Sequence, residues 1–574
     1  MPEPPPPADA LSAAPIFAAL DAAQRADLAS HATRVRVRAG DWVFRQGEAP
    51  DALYVVLSGR LEVVVESPRK VLRVLGRGAA IGELALLTGS TRSASVRARR
   101  DSELLQLTAE RIDALLAAEP AFSRSLTRHL ATQLQASQGL DVAPSPRPET
   151  IGLIALPAGP SACELAKVLA GLLGESGVAV LTEADAGAPE QYAGLLDSAE
   201  RENDQVLLAA EPADGAEWRA FCLRQADRTL LLAEGPPKEE SRRPDIEGRC
   251  DVLLAGSPPT GSLGAWLDAL GVPAGRLIGP RAEWKHTLAP LARSLQGTSL
   301  GLALSGGGAR GFTHIGVLEV LLEAGVRFDR IAGVSMGAVV GAQLAMGVDP
   351  AAIRARCEEE FVRGNPMGDY TLPVVALVRG RRAEAMVRRM FGDALIEELP
   401  LEFMCTSCDL VTSTQHFHRR GLLIEAVGAS FCLPGIGPPV AMGDRLLVDG
   451  GVMNNLPVEP LAATGEGPVI ASDVTAMFEV PRRNQRVGGI AGSLRGAVLG
   501  RGIDVPLRIP EVIIRSITLG SIDTVAEGDA HANIVIRPDV SRIPLTAFDQ
   551  IDALIAAGRD AARATLAAHP ELAA

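Results

Sequence analysis

Three prolines fall within the twelve residues GLDVAPSPRPET at 139–150, and they separate two incompatible hydrophobic rhythms in a chain of 574 residues. A stretch so poor in apolar side chains reads as a linker. Before it, short alternating apolar runs occur at Arg34–Arg38, Trp42–Phe44, Leu53–Val56, Leu61–Val65 and Val71–Leu75, with turn glycines at Gly40, Gly47, Gly59 and Gly76. Period-two runs punctuated by glycine predict a β-roll over 15–138, and the helical spacing from Thr108 to Ser137 closes it with helices. After the linker, apolar runs at Ile151–Leu156, Val178–Leu181, Val206–Ala209, Thr229–Leu232 and Val252–Ala255 alternate with helical segments such as Ala162–Leu173 and Gln191–Arg201. That alternation predicts a parallel α/β region over 151–296. A second α/β unit, 299–570, starts with the strand Leu300–Leu304, a glycine loop and a helix at Thr313–Glu323. No single core grows to this size, so the fold class is multidomain: a β-roll with helices, a middle parallel-sheet α/β region and a C-terminal α/β unit.

Composition removes several functions. The balance of 69 acidic against 56 basic residues, net charge −13, argues against a nucleic-acid partner bound by a general basic field. Seven cysteines, an odd number in a long chain, make no disulfide framework. Cys405 and Cys408 form a C-x-x-C on a buried-strand pattern with no second cysteine pair or histidine cluster, so no metal site is expected. The opening MPEPPPPADA lacks the basic and apolar regions of a secretory signal. The uncharged run Ile331–Val348 carries glycines and a serine in tight-turn spacing and reads as a buried strand–turn–helix rather than a membrane span. A cytoplasmic protein is expected, with membrane contact limited to the inner membrane surface. In the middle region, PAGPSACELAK stands where a phosphate loop would stand but lacks G-x-x-x-x-G-K-[ST], so nucleotide hydrolysis is not expected and a spacer or docking role is.

The chemistry concentrates in the last unit. Gly306-Gly307-Gly308-Ala309-Arg310-Gly311 follows a strand and opens a helix, so that several amides and a helix N-terminus converge on one spot able to hold a phosphate or an oxyanion. Gly333-Val334-Ser335-Met336-Gly337 is a G-x-S-x-G between an apolar strand and a helix, the setting that exposes a nucleophilic hydroxyl on a strained turn. Asp449-Gly450-Gly451 follows the apolar run Leu446–Val448 and presents a carboxylate suited to a general base, although a turn-capping aspartate has the same local sequence. Serine hydrolases usually place a histidine between these two groups. None of the eight histidines sits in a triad motif. His531 follows Asp449 in the order Ser…Asp…His but reads as the start of a strand, and His314, one turn inside the helix, reads as packing.

In this order and spacing, SGGGARG, GVSMG and DGG resemble the patatin-like phospholipases. The likeness continues through ASFCLPGIGPPV at 429–440 and DGGVMNNLPVEPL at 449–461. DYTLPVVALVRGRR (369–382), RQADRTLLLA (224–233) and the regulatory-looking first unit are similar to the bacterial relatives of neuropathy target esterase. The resemblance implies a Ser–Asp dyad, with Ser335 as nucleophile, Asp449 as general base, the amides of Gly306–Gly311 as oxyanion hole and Arg310 organising that loop. It further implies a lysophospholipid or phospholipid substrate and no required cofactor. Apolar segments around Tyr370–Leu377 and Leu433–Val440 are expected to line an acyl groove, and the arginine-rich stretch 476–515 is expected either to touch anionic lipid or to be a solvated loop.

In the first unit, IGELALL (81–87) followed by RSASV (92–96) resembles the phosphate-binding cassette of cyclic-nucleotide-binding domains such as those of catabolite activator protein and protein kinase A regulatory subunits. By that resemblance Gly82, Glu83, Leu84 and Ala85 surround a short helix start that meets the cyclic phosphate. Arg92 makes a charge-assisted bond to it, Glu83 accepts from the ribose hydroxyl, and Ser93 and Ala94 complete the shell. The implied regulatory ligand is cyclic AMP or cyclic GMP. The plainer reading is an internal Glu83–Arg92 pair that closes an empty pocket. The competing function is a nucleotide-sensing adaptor whose last unit is inactive. The sequence leaves the oligomeric state open.

Overall fold

The computed structural model describes residues 11–119 apart from 12–13, 18–19 and 67–68; 122–126 apart from 124; 149–475 apart from 175–176, 239–248 and 373; and 531–573. The linker through 148, the segment 127–137 and the arginine-rich stretch 476–515 lie outside the described residues. The chain divides into two compact units, Met1–Gln296 and Gly297–Ala574.

The first unit opens with the roll, two four-stranded antiparallel sheets. One orders Thr33–Val37, Ser102–Thr108, Ala52–Ser58 and Ala80–Ile81; the other orders Trp42–Phe44, Ser95–Ala98, Leu61–Glu66 and Arg69–Leu75. Two apolar clusters fill it. Leu53, Val55, Leu105 and Leu107 point to one side with Phe17 and Phe122, and Tyr54, Val56, Leu61 and Leu104 point to the other. The alternation along Ala52–Ser58 thus serves two cores, which is why the run reads as continuously apolar. The same unit contains a six-stranded parallel sheet ordered Val178–Leu181, Gln205–Ala210, Thr150–Ala155, Arg228–Glu234, Arg249–Ala255 and Ala274–Gly279. Buried Arg100 of the roll reaches this sheet, donating to Thr150 Oγ1 at 2.9 Å, Gln225 O at 2.9 Å and Glu200 Oε1 at 2.7 Å. A buried guanidinium needs such partners to offset its lost hydration, and here the two Nη atoms take them while Nε has none among the described residues.

The second unit is built on an eight-stranded mixed sheet. Across it run Val440–Met442, Arg445–Asp449, Glu402–Asp409, Arg330–Gly333, Gly301–Leu304, Val469–Ser472 and Ile534–Ile536, with Thr414–His418 paired to Glu402–Asp409. Gly301–Leu304 and Arg330–Gly333 are adjacent, parallel and buried on both faces, so the loops after them emerge side by side at the carboxyl edge of the sheet. Asp449 ends an antiparallel strand opposite Ser407 and is carried to the same edge. The helix Thr313–Glu323 packs tightly on Ile551–Ala568, because Gly316 faces Ile555 O and Gly558 faces Thr313 O with no side chain between. Among the described residues no helix is long and apolar enough to cross a membrane, and Ile331–Val348 forms the expected strand, turn and helix.

Candidate active site

Ser335 is the residue between the strand Arg330–Gly333 with Val334 and the helix Met336–Ala345, and its backbone sits at φ 54°, ψ −122°. A side chain in that region is strained, by on the order of 1–3 kcal/mol, and persists only where the surroundings enforce it. They do so here through close backbone approach. A Cβ on Gly333 would lie 2.7 Å from Ala338 Cα, and one on Gly337 would lie 2.6 Å from Ser305 O. The Ser335 amide donates to Ser430 Oγ at 3.0 Å, which fixes the turn from the far side.

Asp449 is buried beside it. Oδ1 accepts the Gly451 amide at 2.8 Å, while Oδ2 is buried with no hydrogen-bond partner among the described residues. Burial pushes its carboxyl up to about 6, opposed by the neighbouring Ser335 hydroxyl and by the Gly451 amide. The serine hydroxyl is therefore the polar group next to the open side of this carboxylate, and a base lifted in this way holds a proton better than an exposed aspartate does.

The glycine loop meets the same point, since a Cβ on Gly306 would come within 3.1 Å of Ser335 Cβ. Its six residues are not equivalent. The amides of Gly306, Ala309 and Arg310 are spent on Asn455 O, Leu545 O and Gly307 O, at 3.2, 2.8 and 3.1 Å. Those of Gly307 and Gly308 have no acceptor among the described residues. Arg310 is buried and donates through Nε to Ile543 O at 2.7 Å, tying the loop to the segment 541–545. Three supporting residues were not assigned from sequence. Asn455 holds Gly306 by both its carbonyl and its Nδ2 (3.1 Å to Gly306 O), Ser430 holds Ser335, and Leu545 holds Ala309. Asn455 and Ser430 lie inside the stretches 449–461 and 429–440, whereas nothing local marks Leu545.

No histidine hydrogen-bonds Ser335 or Asp449 among the described residues. His314 bonds Ser472 Oγ at 2.8 Å and Ser305 O at 3.0 Å, and burial lowers its pKa to about 4, in keeping with a packing role. Cys405 and Cys408 are buried free thiols whose pKa burial raises, and the described residues hold no group of metal-ligating side chains. The expectation that Tyr370–Leu377 lines an acyl groove is not met at Tyr370, Leu372, Val374 and Val375, which stand exposed.

In the roll, Gly82 precedes the short helix Glu83–Thr88; Glu83 and Ala85 are buried, whereas Leu84 and Ser93 are exposed and Ala94 is half-buried. Arg92 is buried with its guanidinium 4.1 Å over the Phe44 ring. Its Nη atoms donate to Gly82 O at 3.0 Å, Ala52 O at 2.7 Å and Asp51 Oδ1 at 2.8 Å, and its Nε has no partner among the described residues. The carboxylate paired with Arg92 is thus Asp51, not Glu83 as the plainer reading supposed.

In the middle sheet, the helix start after Pro157-Ala158-Gly159 is filled from within. Glu211 Oε1 accepts the Ser161 hydroxyl at 2.6 Å and the Cys163 amide at 3.0 Å. Burial opposes ionisation of Glu211, but these hydrogen bonds win and hold its carboxyl below the usual range. A carboxylate occupies the place a phosphate would take.

Residues 302–462 match the family described as Patatin-like phospholipase, and residues 34–119 match Cyclic nucleotide-binding domain. An uncharacterised NTE family protein of Mycobacterium bovis is 35% identical, the alignment covering 98% of this chain and 97% of that one. A lysophospholipase of Aspergillus fumigatus is 27% identical over 77% of this chain and 35% of its own length. Among solved structures, the catabolite activator protein of Thermus thermophilus is 32% identical over 22% of this chain and 60% of its own, with a TM-score of 0.21.

Proposed function

The chain belongs to the NTE family of patatin-like phospholipases, and on that premise we propose that Ser335 and Asp449 hydrolyse the acyl ester of a lysophospholipid or phospholipid. The observation that carries this reading is a strained serine turn whose hydroxyl adjoins a buried carboxylate, one of whose oxygens has no hydrogen-bond partner among the described residues. Asp449 takes the proton as Ser335 Oγ attacks the ester carbonyl carbon. The oxyanion forms toward Gly307 and Gly308, whose amides have no acceptor among the described residues, and a lost donor of this kind costs about 3–4 kcal/mol. Asp449 returns the proton to the departing alcohol, leaving an acyl ester on Ser335. Water then gives a proton to Asp449, attacks the acyl carbon and releases the fatty acid as Oγ is reprotonated. Relatives named lysophospholipase support the substrate class. Further parts of this proposal are a catalytic unit at 299–570, a sensor at 15–138 and a spacer at 151–296 joined by 139–150, acting at an inner membrane surface.

Labelling the full chain with a fluorophosphonate tests the dyad. One label per chain on Ser335, absent from Ser335→Ala, with turnover retained by His531→Ala, supports it. A label elsewhere, or undiminished turnover in Ser335→Ala, rejects it. The base must be ionised to act, so kcat/KM should rise with pH through an apparent pKa near the value of about 6 set by burial of Asp449. A pH–rate profile with its acid limb centred in the ordinary aspartate range, about 4, would contradict the assignment.

The roll takes cyclic AMP or cyclic GMP as a regulatory ligand in this reading, with Gly82, Glu83, Leu84, Ala85, Ser93 and Ala94 around Arg92. Arg92→Gln should lower the affinity of the full chain for cyclic nucleotide at least about tenfold by calorimetry, because a charge-assisted bond to the phosphate is lost. Regulation requires in addition that nucleotide change ester turnover, which needs different affinities in two states.

A further inference from the structure

The segment 369–379 leaves the body of the second unit and returns to it. Its base is a narrow antiparallel ladder: Tyr370 bridges Val378, Thr371 N–H donates to Leu377 O at 3.0 Å, and Arg379 N–H donates to Asp369 O at 2.9 Å. Above that base stand Tyr370, Leu372, Val374 and Val375, exposed by 74, 83, 89 and 69%. Large aliphatic side chains left this far in solvent mark a contact surface, whereas isolated ones do not. Tyr370, Leu372 and Val374 alternate along the chain, but the equally exposed Val375 is adjacent to Val374, so the apolar side chains are not confined to one strand face and suit an apolar medium that surrounds the tip better than a flat protein surface.

The charge around the tip is as specific as its apolarity. Arg379, Arg381 and Arg382 follow at once, all exposed and with no carboxylate in ion-pair contact among the described residues. The nearby acids are Asp369, whose carboxylate takes the Arg382 backbone amide, and Glu384, which pairs with Arg388; Arg389 is paired with Glu360. Three exposed cations with no ion-paired carboxylate among the described residues, beside an apolar tip on a chain of net charge −13, match the layering of an anionic lipid surface, with phosphates outside and hydrocarbon beneath.

The tip is also joined to the reaction centre. Leu377 and Val378 donate to Gly435 O and Ile436 O at 3.0 and 2.9 Å. Ile436 packs with Leu545, Met367 and Leu433, and Leu545 O holds the Ala309 amide of the glycine loop. On the adjoining side, Cys432 O accepts the Asp449 amide at 2.8 Å.

We propose that the 370–375 tip is the membrane anchor of this hydrolase, its four side chains entering the acyl region of an anionic bilayer while Arg379, Arg381 and Arg382 meet lipid phosphates. The anchor sets the Ile436–Leu545 cluster between the lipid and Ser335. This deepens the phospholipid-hydrolase reading and rests on it for purpose, but its test does not depend on turnover. Cosedimentation uses the full chain carrying Ser335→Ala, so that lipid is not consumed, with vesicles of phosphatidylcholine alone or of equimolar phosphatidylcholine and phosphatidylglycerol. The parent should sediment preferentially with the anionic vesicles. Adding Leu372→Ser, Val374→Ser and Val375→Ser together should weaken that binding about tenfold or more. Adding Arg379→Gln, Arg381→Gln and Arg382→Gln instead should remove the preference for anionic lipid. The same two triple substitutions on the chain with Ser335 intact should still hydrolyse a soluble short-chain ester, which verifies their fold. Vesicle binding by the serine triple equal to the parent's overturns the anchor. So does a parent dimer that the serine triple dissociates while vesicle binding is unchanged, which would make the tip a contact between copies. A parent that binds vesicles but cleaves no ester would sink the hydrolase reading and leave the anchor standing.

Discussion

Asp449→Asn should cost about four orders of magnitude in phospholipid turnover and, in the same protein, raise the melting temperature at about pH 8. The loss follows from removing the carboxylate beside the Ser335 hydroxyl. The gain follows from where that carboxylate sits. Its pKa is about 6 in the folded chain because burial outweighs the opposing Ser335 hydroxyl and Gly451 amide. The unfolded value is about 4. Between those two values the folded chain binds more protons than the unfolded one, so stability falls as pH rises through the interval. Above it the whole cost of a buried charge is carried, roughly 3 kcal/mol. The asparagine has no charge to bury, and its oxygen can still take the Gly451 amide. The gain, a few degrees in a unit of this size, should shrink as pH falls from about 6 to about 4 and be absent below that, where the aspartate is itself protonated in both states. Ser335→Ala makes the contrast. It should lose at least as much activity without the stability gain, since an alanine at φ 54° keeps the strain of the turn. Thermal melts of both variants across pH, beside turnover, decide the matter. An asparagine variant less stable than its parent at about pH 8 would mean that the carboxylate is held by partners rather than isolated.

Ser335, Asp449 and the glycine loop are visible in the sequence because each depends on local geometry. A strand end, a glycine and a helix start within a few residues are enough to expose a hydroxyl or converge amides. The helices Ala162–Leu173 and Thr313–Glu323 are legible for the same reason, an unbroken apolar stripe with clear ends. What supports the site is not local. Leu545 reaches Ala309, and Ile543 reaches Arg310, across more than two hundred residues of chain, and no periodicity encodes such a meeting. The spending of Gly306, Ala309 and Arg310 amides on other carbonyls is equally invisible, so the sequence could name six loop residues but not the two whose donors stay open. The strand Ala274–Gly279 escapes notice because it is short, glycine-bearing and only partly buried at the sheet edge. The segment Tyr370–Leu377 reads as groove lining because apolar residues ordinarily go inside, and only the exposure of Tyr370, Leu372, Val374 and Val375 shows that these face outward.

The same substitution made in two helices should have opposite signs. Gly171 lies in Ala162–Leu173, and a Cβ there would meet nothing within 4 Å. Gly171→Ala should therefore stabilise the first unit by about 0.5–1 kcal/mol, the ordinary helix-propensity gain. Gly337 lies in the first turn of Met336–Ala345, where an alanine would enjoy the same propensity. There, however, the added carbon would lie 2.6 Å from Ser305 O and closer still to Leu304 O. Those are backbone atoms of the central strand and its loop, so no rotamer change relieves the overlap. The strand would have to part from the helix, opening its ladder to Arg330–Gly333 and moving the glycine loop off Ser335. Gly337→Ala should cost on the order of 3 kcal/mol or more in the second unit and abolish ester hydrolysis even in the fraction that stays folded. Denaturant melts of the two variants measure this directly. If Gly337→Ala melts with its parent and keeps its activity, the helix does not press on the strand as described, and the strain at Ser335 has lost the contact that enforces it.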